Sequence, residues 1–295
     1  MPKLAQQLYQ AQTSYKGALT RPALWDAWHP NEGDIILCTP AKCGTTWTQT
    51  IITMLLYGTT DLPDRVSALS PWLDSALKDA KHITRSVGSP TGRRLIKTHT
   101  PADGFPIWNG VQLVAVYRHP LDVFLSIRSH VTNMKGVQNP DLCGPVPDAL
   151  NYYLEGSFNA DDIDRDYLSS FVHHYLHTIN RPHQDDLILL HYANMVADPR
   201  HAVKELAVRL ELDHDDVLID AITNATHFNA MKAQASKFAP EGGNGVWHKD
   251  AAFFDSGGTL KWQRRISEKS VALFERRLRA LLPKREHSNW VKFGT

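Results

Sequence analysis

Apolar positions along the chain fall into two alternating kinds of run. Short runs at Ile35–Cys38, Arg93–Thr98, Gln112–Tyr117 and Leu187–Leu190 are bounded by Gly, Pro or charged residues and predict strands. The run ending at Tyr117 is almost continuous Val, Leu and Ala, as expected for a parallel strand covered on both faces. Longer runs with apolar residues three and four apart predict helices from Thr45 towards Gly58 and over Leu121–Met134, Asp162–Ile179, Asp198–Leu210, His214–Thr223 and Ser267–Leu282, with one more near Trp72–Lys81. Pro120 and Asp122 fit the first turn of the second of these. Strands alternating with helices imply one α/β domain with an open, mainly parallel sheet and right-handed crossovers.

Three stretches lack either pattern: about 59–92, 135–161 and 236–260. They are rich in Pro, Gly and aromatic residues, and long loops of that kind in a compact domain usually wall a pocket. Leu4–Leu19 is weakly amphipathic and leads to Arg21-Pro22, Trp25 and Trp28, which predicts a segment lying over the core.

The strand at Ile35–Cys38 breaks at Thr39-Pro40-Ala41-Lys42-Cys43-Gly44 and runs straight into a helix opened by Thr45, Thr46 and Trp47. Unpaired N–H groups at such a helix start converge on one point and bind an anion. Lys42 adds a charge and the threonines add hydroxyls, so the expected group is a phosphate of a nucleotide-like ligand. Ligands of open parallel sheets sit beyond the carboxyl ends of the strands, which brings Lys97, His99 and Arg118 to the same place. The triphosphatase pattern Gly-x4-Gly-Lys-Ser/Thr is not present, because Lys42 precedes Gly44. A magnesium-dependent kinase also needs an acidic ligand at a neighbouring strand end, where this chain has Arg118, Lys97 and His99. Three cations neutralise ligand phosphates without a metal, so the site reads as metal-free.

Composition narrows the setting. With 32 Lys+Arg against 31 Asp+Glu in 295 residues, the chain has no global field for nucleic acid or an anionic membrane. No stretch approaches the roughly 18 apolar residues of a membrane span, and Met1–Thr20 lacks an apolar signal core, so a cytoplasmic protein is expected. Cys38, Cys43 and Cys143 are too scattered for a disulfide framework or a metal site and are expected as reduced thiols, with Cys43 a filler or turn residue. Of the 15 histidines, His173, His174, His177 and His201 read as surface or hydrogen-bonded core. His99 differs by its place after a strand end. Arg276, Arg277, Arg279, Lys284 and Arg285 read as a solvated face.

Five motifs taken in order resemble the cytosolic-type sulfotransferase family, whose members use 3′-phosphoadenosine 5′-phosphosulfate (PAPS). They are TPAKCGTTW; Lys97-Thr98-His99-Thr100-Pro101; Tyr117-Arg118-His119-Pro120-Leu121-Asp122-Val123 continuing to Ser126; Tyr192-Ala193-Asn194-Met195; and Thr226-His227-Phe228. The resemblance implies a P-loop-like, three-layer, single-domain fold over 1–295 with helices on both faces of the sheet. It implies that Lys42, Cys43, Gly44, Thr45 and Thr46 form the 5′-phosphosulfate loop, and that Trp47 and Phe228 sandwich the adenine while Tyr192 and Thr226 bond its edge. Arg118 and Ser126 then hold the 3′-phosphate, His99 is the general base, and Lys42 and Lys97 stabilise charge on the leaving phosphate and the sulfuryl group. In-line sulfuryl transfer depends on such positioning and charge stabilisation, and a neutral His takes a proton near pH 7.

The family's last motif, an Arg-Lys-Gly with a nearby Trp, is replaced here by Ser256-Gly257-Gly258 ahead of Trp262. Lys237, Lys249, Lys261 or Arg264, or the N–H groups of this glycine-rich turn, then supply the missing charge. The acceptor is a small molecule with a hydroxyl or amine, expected to be hydrophobic because Trp25, Trp72, Phe105, Trp108, Phe124, Tyr152, Tyr153, Phe158 and Trp247 are available to wall its pocket. The family's usual dimerisation pattern is not found after Trp262, and a homodimer stays open. Two alternatives stay open as well: a nucleotide-dependent phosphoryl transferase of the P-loop type, and a module that binds adenosine bisphosphate without turnover.

Overall fold

Alternate residues of the buried strands enter different cores. A computed structural model, describing residues 3–77, 89–137 and 139–295, contains strands β1 (Gln7–Tyr9), β2 (Ile35–Cys38), β3 (Leu95–Thr98), β4 (Ile107–Trp108), β5 (Gln112–Tyr117) and β6 (Leu187–His191). In β2, Ile35 and Leu37 pack into one apolar cluster, and Ile36 and Cys38 into another. In β5, Val114 and Val116 face the first cluster while Ala115 and Tyr117 face away from it. A period of two with both faces dry is what a covered parallel strand requires.

The sheet has the order β3-β2-β5-β6, and each of its three pairings is parallel. Leu37 lies beside Lys97 on one side and Val114 on the other, so the carboxyl ends of β2, β3 and β5 open onto one crevice. One face is covered by α1 (Thr45–Tyr57), through Ile51 and Leu55. The other is covered by α2 (Pro120–Asn133), followed by α3 (Val146–Glu155) and α4 (Leu168–Ile179), through Leu121, Phe124, Leu150, Phe171 and Tyr175. Beyond β6 come α5 (Tyr192–Ala197), α6 (Pro199–Arg209), α7 (Asp216–Ala225) and α8 (Phe228–Ala233), which extend the first layer. The chain then passes to α9 (Glu268–Leu281) and α10 (Arg285–Phe293) on the second. The three-layer α/β expectation holds.

Helix starts follow local chemistry. Asp198, Asp215 and Ser267 each accept a backbone N–H three residues on, capping α6, α7 and α9. Among the described residues no helix is long and apolar enough to cross a membrane.

The structure departs from the pattern in three places. The helix expected over Trp72–Lys81 is absent from its described part, and residues 78–81 lie outside the described residues. Pro71–Leu73 instead runs along β3, with Lys97 N–H donating to Pro71 and Leu73 N–H to Lys97. Buried Asp74 fixes this course by accepting from Trp25, Trp72, Thr98 and Thr100. The helix expected from Asp162 begins only at Leu168, because Asp164 is drawn to the Leu19 N–H and the Thr20 hydroxyl. Helix α10 extends the chain beyond the expected last helix, with Trp290 stacked on Tyr175. The N-terminal segment lies over the core as expected, pairing β1 with β4, and it is tied down at Asp103. Thr13, Tyr15 and His177 all bond that carboxylate. Burial raises its pKa, but bonds from His177, Thr13 and Tyr15 outweigh burial and hold it at about 2.

Candidate active site

A cavity of about 920 Å³ opens where the carboxyl ends of β2, β3 and β5 meet. Lys42, Gly44, Thr45, Thr46, Trp47, Lys97, His99, Arg118, Ser126, Tyr192, Thr226, Phe228, Ser256, Gly257 and Gly258 all line it. The exception among the expected residues is Cys43. Its side chain is fully buried among Tyr117, Phe124 and Tyr153, and burial pushes its thiol up to about 12, so it serves packing and only its backbone belongs to the loop.

Two residues with positive φ shape that loop, Lys42 at 62° and Gly44 at 106°. A Cβ on Gly44 would lie 2.8 Å from the Tyr192 ring, so the position needs glycine for space as well as for conformation. The first backbone bond of α1 is donated by Thr48 to Gly44, which leaves the preceding N–H groups pointing into the cavity.

His99 is held by one bond: Nδ1 donates to the Thr39 carbonyl at 2.7 Å. That fixes the proton on Nδ1 and leaves Nε2 with its lone pair, the arrangement a base requires. Burial and then Lys97 push its pKa down to about 3, against the Thr39 carbonyl, so the free ring is neutral. Lys42 is lowered to about 7 by burial first and Arg118 second. Its Nζ donates to His130 Nδ1 at 3.1 Å and sits 4.3 Å from the Phe253 ring centre. Lys97 lies 5.2 Å above the Trp72 ring. A lysine lowered by burial and by neighbouring cations marks a site that an anion completes.

Arg118 shows the same incompleteness. One Nη donates to the Gly258 carbonyl at 2.8 Å and the guanidinium lies 4.4 Å over the Tyr192 ring, yet buried Nε has no partner among the described residues. A donor left open on a buried cation fits a phosphate at this position. The Ser256–Gly258 turn beside it is stapled from three sides. Tyr192 donates to Gly257 at 2.9 Å, Asp122 accepts the N–H groups of Leu260 and Trp262, and a Cβ on Gly257 would strike the Phe228 ring. Of the four cations considered for this loop, Lys261 lines the cavity, paired with Asp255 at 2.6 Å, and Lys237, Lys249 and Arg264 do not.

The chain matches the sulfotransferase domain model over residues 32–285. It belongs to the sulfotransferase family. A glycolipid sulfotransferase of Mycobacterium bovis is 29% identical over 300 residues, spanning 91% of each chain. Mouse sulfotransferase SULT7A1, solved with PAP, superposes with a TM-score of 0.71 at 17% identity over 96% of this chain and 97% of that one. Retinol dehydratase, solved with retinol and PAP, gives 0.69 at 17% identity over 89% and 84%.

Within this sulfotransferase the two hydroxyls expected to meet the adenine edge have their protons already committed. Tyr192 donates to Gly257 and Thr226 donates to Ile222, so towards a base edge these oxygens act as acceptors. Trp47 meets Tyr192 edge to face at 5.6 Å, and its buried indole N–H has no partner among the described residues.

The aromatic walls come from the irregular stretches. Trp72, Tyr153, Phe158 and Trp247 line the cavity as expected. Trp25, Phe105 and Trp108 instead build the core behind β2 and β3, Phe124 is fully buried under α2, and Tyr152 packs on Tyr167. Two cavity residues escaped the sequence. His130 lies four residues beyond Ser126 on α2, hence on the same helix face, and that spacing was the available signal. Burial and Lys42 push it down to about 2, which makes it a neutral acceptor for Lys42. Asp166 is the other.

Proposed function

We propose that this sulfotransferase moves the sulfuryl group of PAPS to a hydroxyl of a hydrophobic, lipid-like acceptor, with His99 as the base. The orientation of His99 carries this reading: its Nδ1–H is spent on Thr39 and its Nε2 is left for the acceptor, in a cavity shared with Lys42 and Lys97. His99 Nε2 takes the acceptor proton as the acceptor oxygen bonds to sulfur. The bond from sulfur to the 5′-phosphate oxygen breaks, and Lys42 and Lys97 neutralise the charge that collects there. Arg118 and Ser126 hold the 3′-phosphate, while Trp47 and Phe228 flank the base.

The same phosphates answer a difficulty in the free enzyme. A histidine pushed to about 3 is a weak base, but negative charge beside Lys42 and Lys97 opposes the cations that lower it, so donor binding raises its basicity. Three cations supply the charge stabilisation without a metal. The relatives named for glycolipid and the structure holding retinol support a lipid-like acceptor, as do the apolar walls. The free thiols Cys38, Cys43 and Cys143 support a cytoplasmic setting, and continuous packing supports one domain over 1–295.

Labelled PAPS tests the reading directly. Wild-type protein is expected to label a hydrophobic alcohol such as 1-octanol. His99→Ala is expected to lower kcat by about 10²- to 10⁴-fold, the usual contribution of general base catalysis. An unchanged rate removes His99 from the reaction, and no transfer by the wild type overturns the activity.

A further inference from the structure

The acceptor end of the cavity contains a carboxylate that the reaction above does not use. Asp166 lines the wall and, among the described residues, makes no hydrogen bond or ion pair. Its neighbours in the chain are all engaged elsewhere. Asp164 accepts from Leu19 N–H at 2.6 Å and the Thr20 hydroxyl at 2.8 Å; Arg165 pairs with Asp162 at 2.9 Å; Tyr167 donates to the Tyr152 hydroxyl at 3.1 Å. Ser169, opening α4, donates to the Gly156 carbonyl at 2.7 Å. The segment is therefore fixed by others, and of its charged side chains that line the cavity, Asp164, Arg165 and Asp166, the last is left without a bond among the described residues.

Its surroundings define what it takes. Phe158, Ile163, Phe171 and Tyr153 line the same cavity and make much of its wall apolar, and a half-buried carboxylate there gives up part of its hydration, which a ligand's donor replaces. Burial and Asp164 draw its pKa up to about 6 against the pull of Lys42, so at pH 7 it is an anion that only accepts hydrogen bonds. Asp166 lines the same cavity as Lys42 and His99, so one acceptor can reach the carboxylate and the base together.

We propose that Asp166 selects acceptors bearing a second hydroxyl beside the one that is sulfated, so that the acceptor joins a polyol head to an apolar body. The neighbouring hydroxyl donates to the carboxylate and turns the nucleophilic oxygen towards His99. An ammonium in the same place is attracted by Asp166 but opposed by Lys42, Lys97 and Arg118, which line the same cavity; an uncharged O–H meets no such opposition. The inference rests on the sulfuryl transfer proposed above.

Three acceptors of equal chain length test it: 1-octanol, 1,2-octanediol and 2-amino-1-octanol, each with saturating PAPS. The wild type is expected to prefer the diol over the alcohol in kcat/KM. Asp166→Ala is expected to lower that preference about 10- to 100-fold, mostly through KM for the diol, as for a lost hydrogen bond to a charged group. Asp166→Asn keeps the shape and exchanges a charged acceptor for a neutral one, with about a 3- to 10-fold fall expected, so the ratio is readable even if the alanine variant does not fold.

A ratio unchanged by both variants, or losses equal for diol and alcohol, overturns the inference; the second result makes Asp166 a partner of Lys42 instead. A wild-type preference for the amino alcohol that vanishes with Asp166 also overturns it. In each of these cases transfer to 1-octanol leaves the activity itself standing, whereas no transfer to any of the three overturns both.

Discussion

Lys42, Lys97, His99 and Arg118 leave the carboxyl ends of parallel strands, whereas Trp72, Phe158, Asp166 and Trp247, which line the same cavity, come from connections between elements. At the donor end the ladder fixes positions: Leu37 pairs with Lys97 and Val114, so three side chains from distant parts of the sequence approach through hydrogen bonds that exist for other reasons. At the acceptor end, position depends on individual bonds, such as Trp247 Nε1 to Pro240 at 2.7 Å and the stack of Phe158 on His173 at 3.7 Å. Chemistry common to many acceptors suits the rigid part, and selectivity suits the part that can change without disturbing the sheet.

Substitutions at the two ends are expected to separate. After the loss of His99, the largest effect falls on Arg118→Ala, which gives up the open guanidinium and the Gly258 staple together. Its affinity for adenosine 3′,5′-bisphosphate is expected to fall about 100-fold or more by calorimetry, and that for adenosine 5′-phosphosulfate, which lacks the 3′-phosphate, by less than about 10-fold. Equal losses for the two ligands remove Arg118 from the 3′-phosphate. Phe158→Ala touches the acceptor end alone. It is expected to raise KM for 1-octanol about 10-fold, in line with the burial of one aromatic side chain, and to change bisphosphate affinity by less than about 2-fold. A comparable loss of bisphosphate affinity would show that the two ends are not independent.

The same division governs what the sequence disclosed. Gln112–Tyr117 appears in the structure with the bounds its pattern predicts, because a strand dry on both faces is apolar throughout. Lys42, His99 and Arg118 were placed by rules that need only strand order and chain direction. Trp72 was misplaced for a physical reason: Asp74 gathers Trp25, Thr98 and Thr100, and no local periodicity contains those partners. Lys261 could not be chosen among four cations until Asp122 was seen to hold the backbone of its loop. Asp166 lies in a run with Asp161, Asp162 and Asp164, and nothing along the chain distinguishes it from Asp164, which also lines the cavity but is bonded to Leu19 and Thr20.

Burial first, and neighbouring cations second, hold Lys42 and His99 below their ordinary pKa values in the free enzyme. The titration of the His99 imidazole, followed by NMR with and without adenosine 3′,5′-bisphosphate, tests that most directly. Without ligand, the ring is expected to stay neutral through the mildly acidic range, consistent with a pKa of about 3. With ligand, its midpoint is expected to rise by at least about one unit, because phosphate charge favours the protonated form and offsets Lys97 and Lys42. A midpoint that is the same in both titrations contradicts the account.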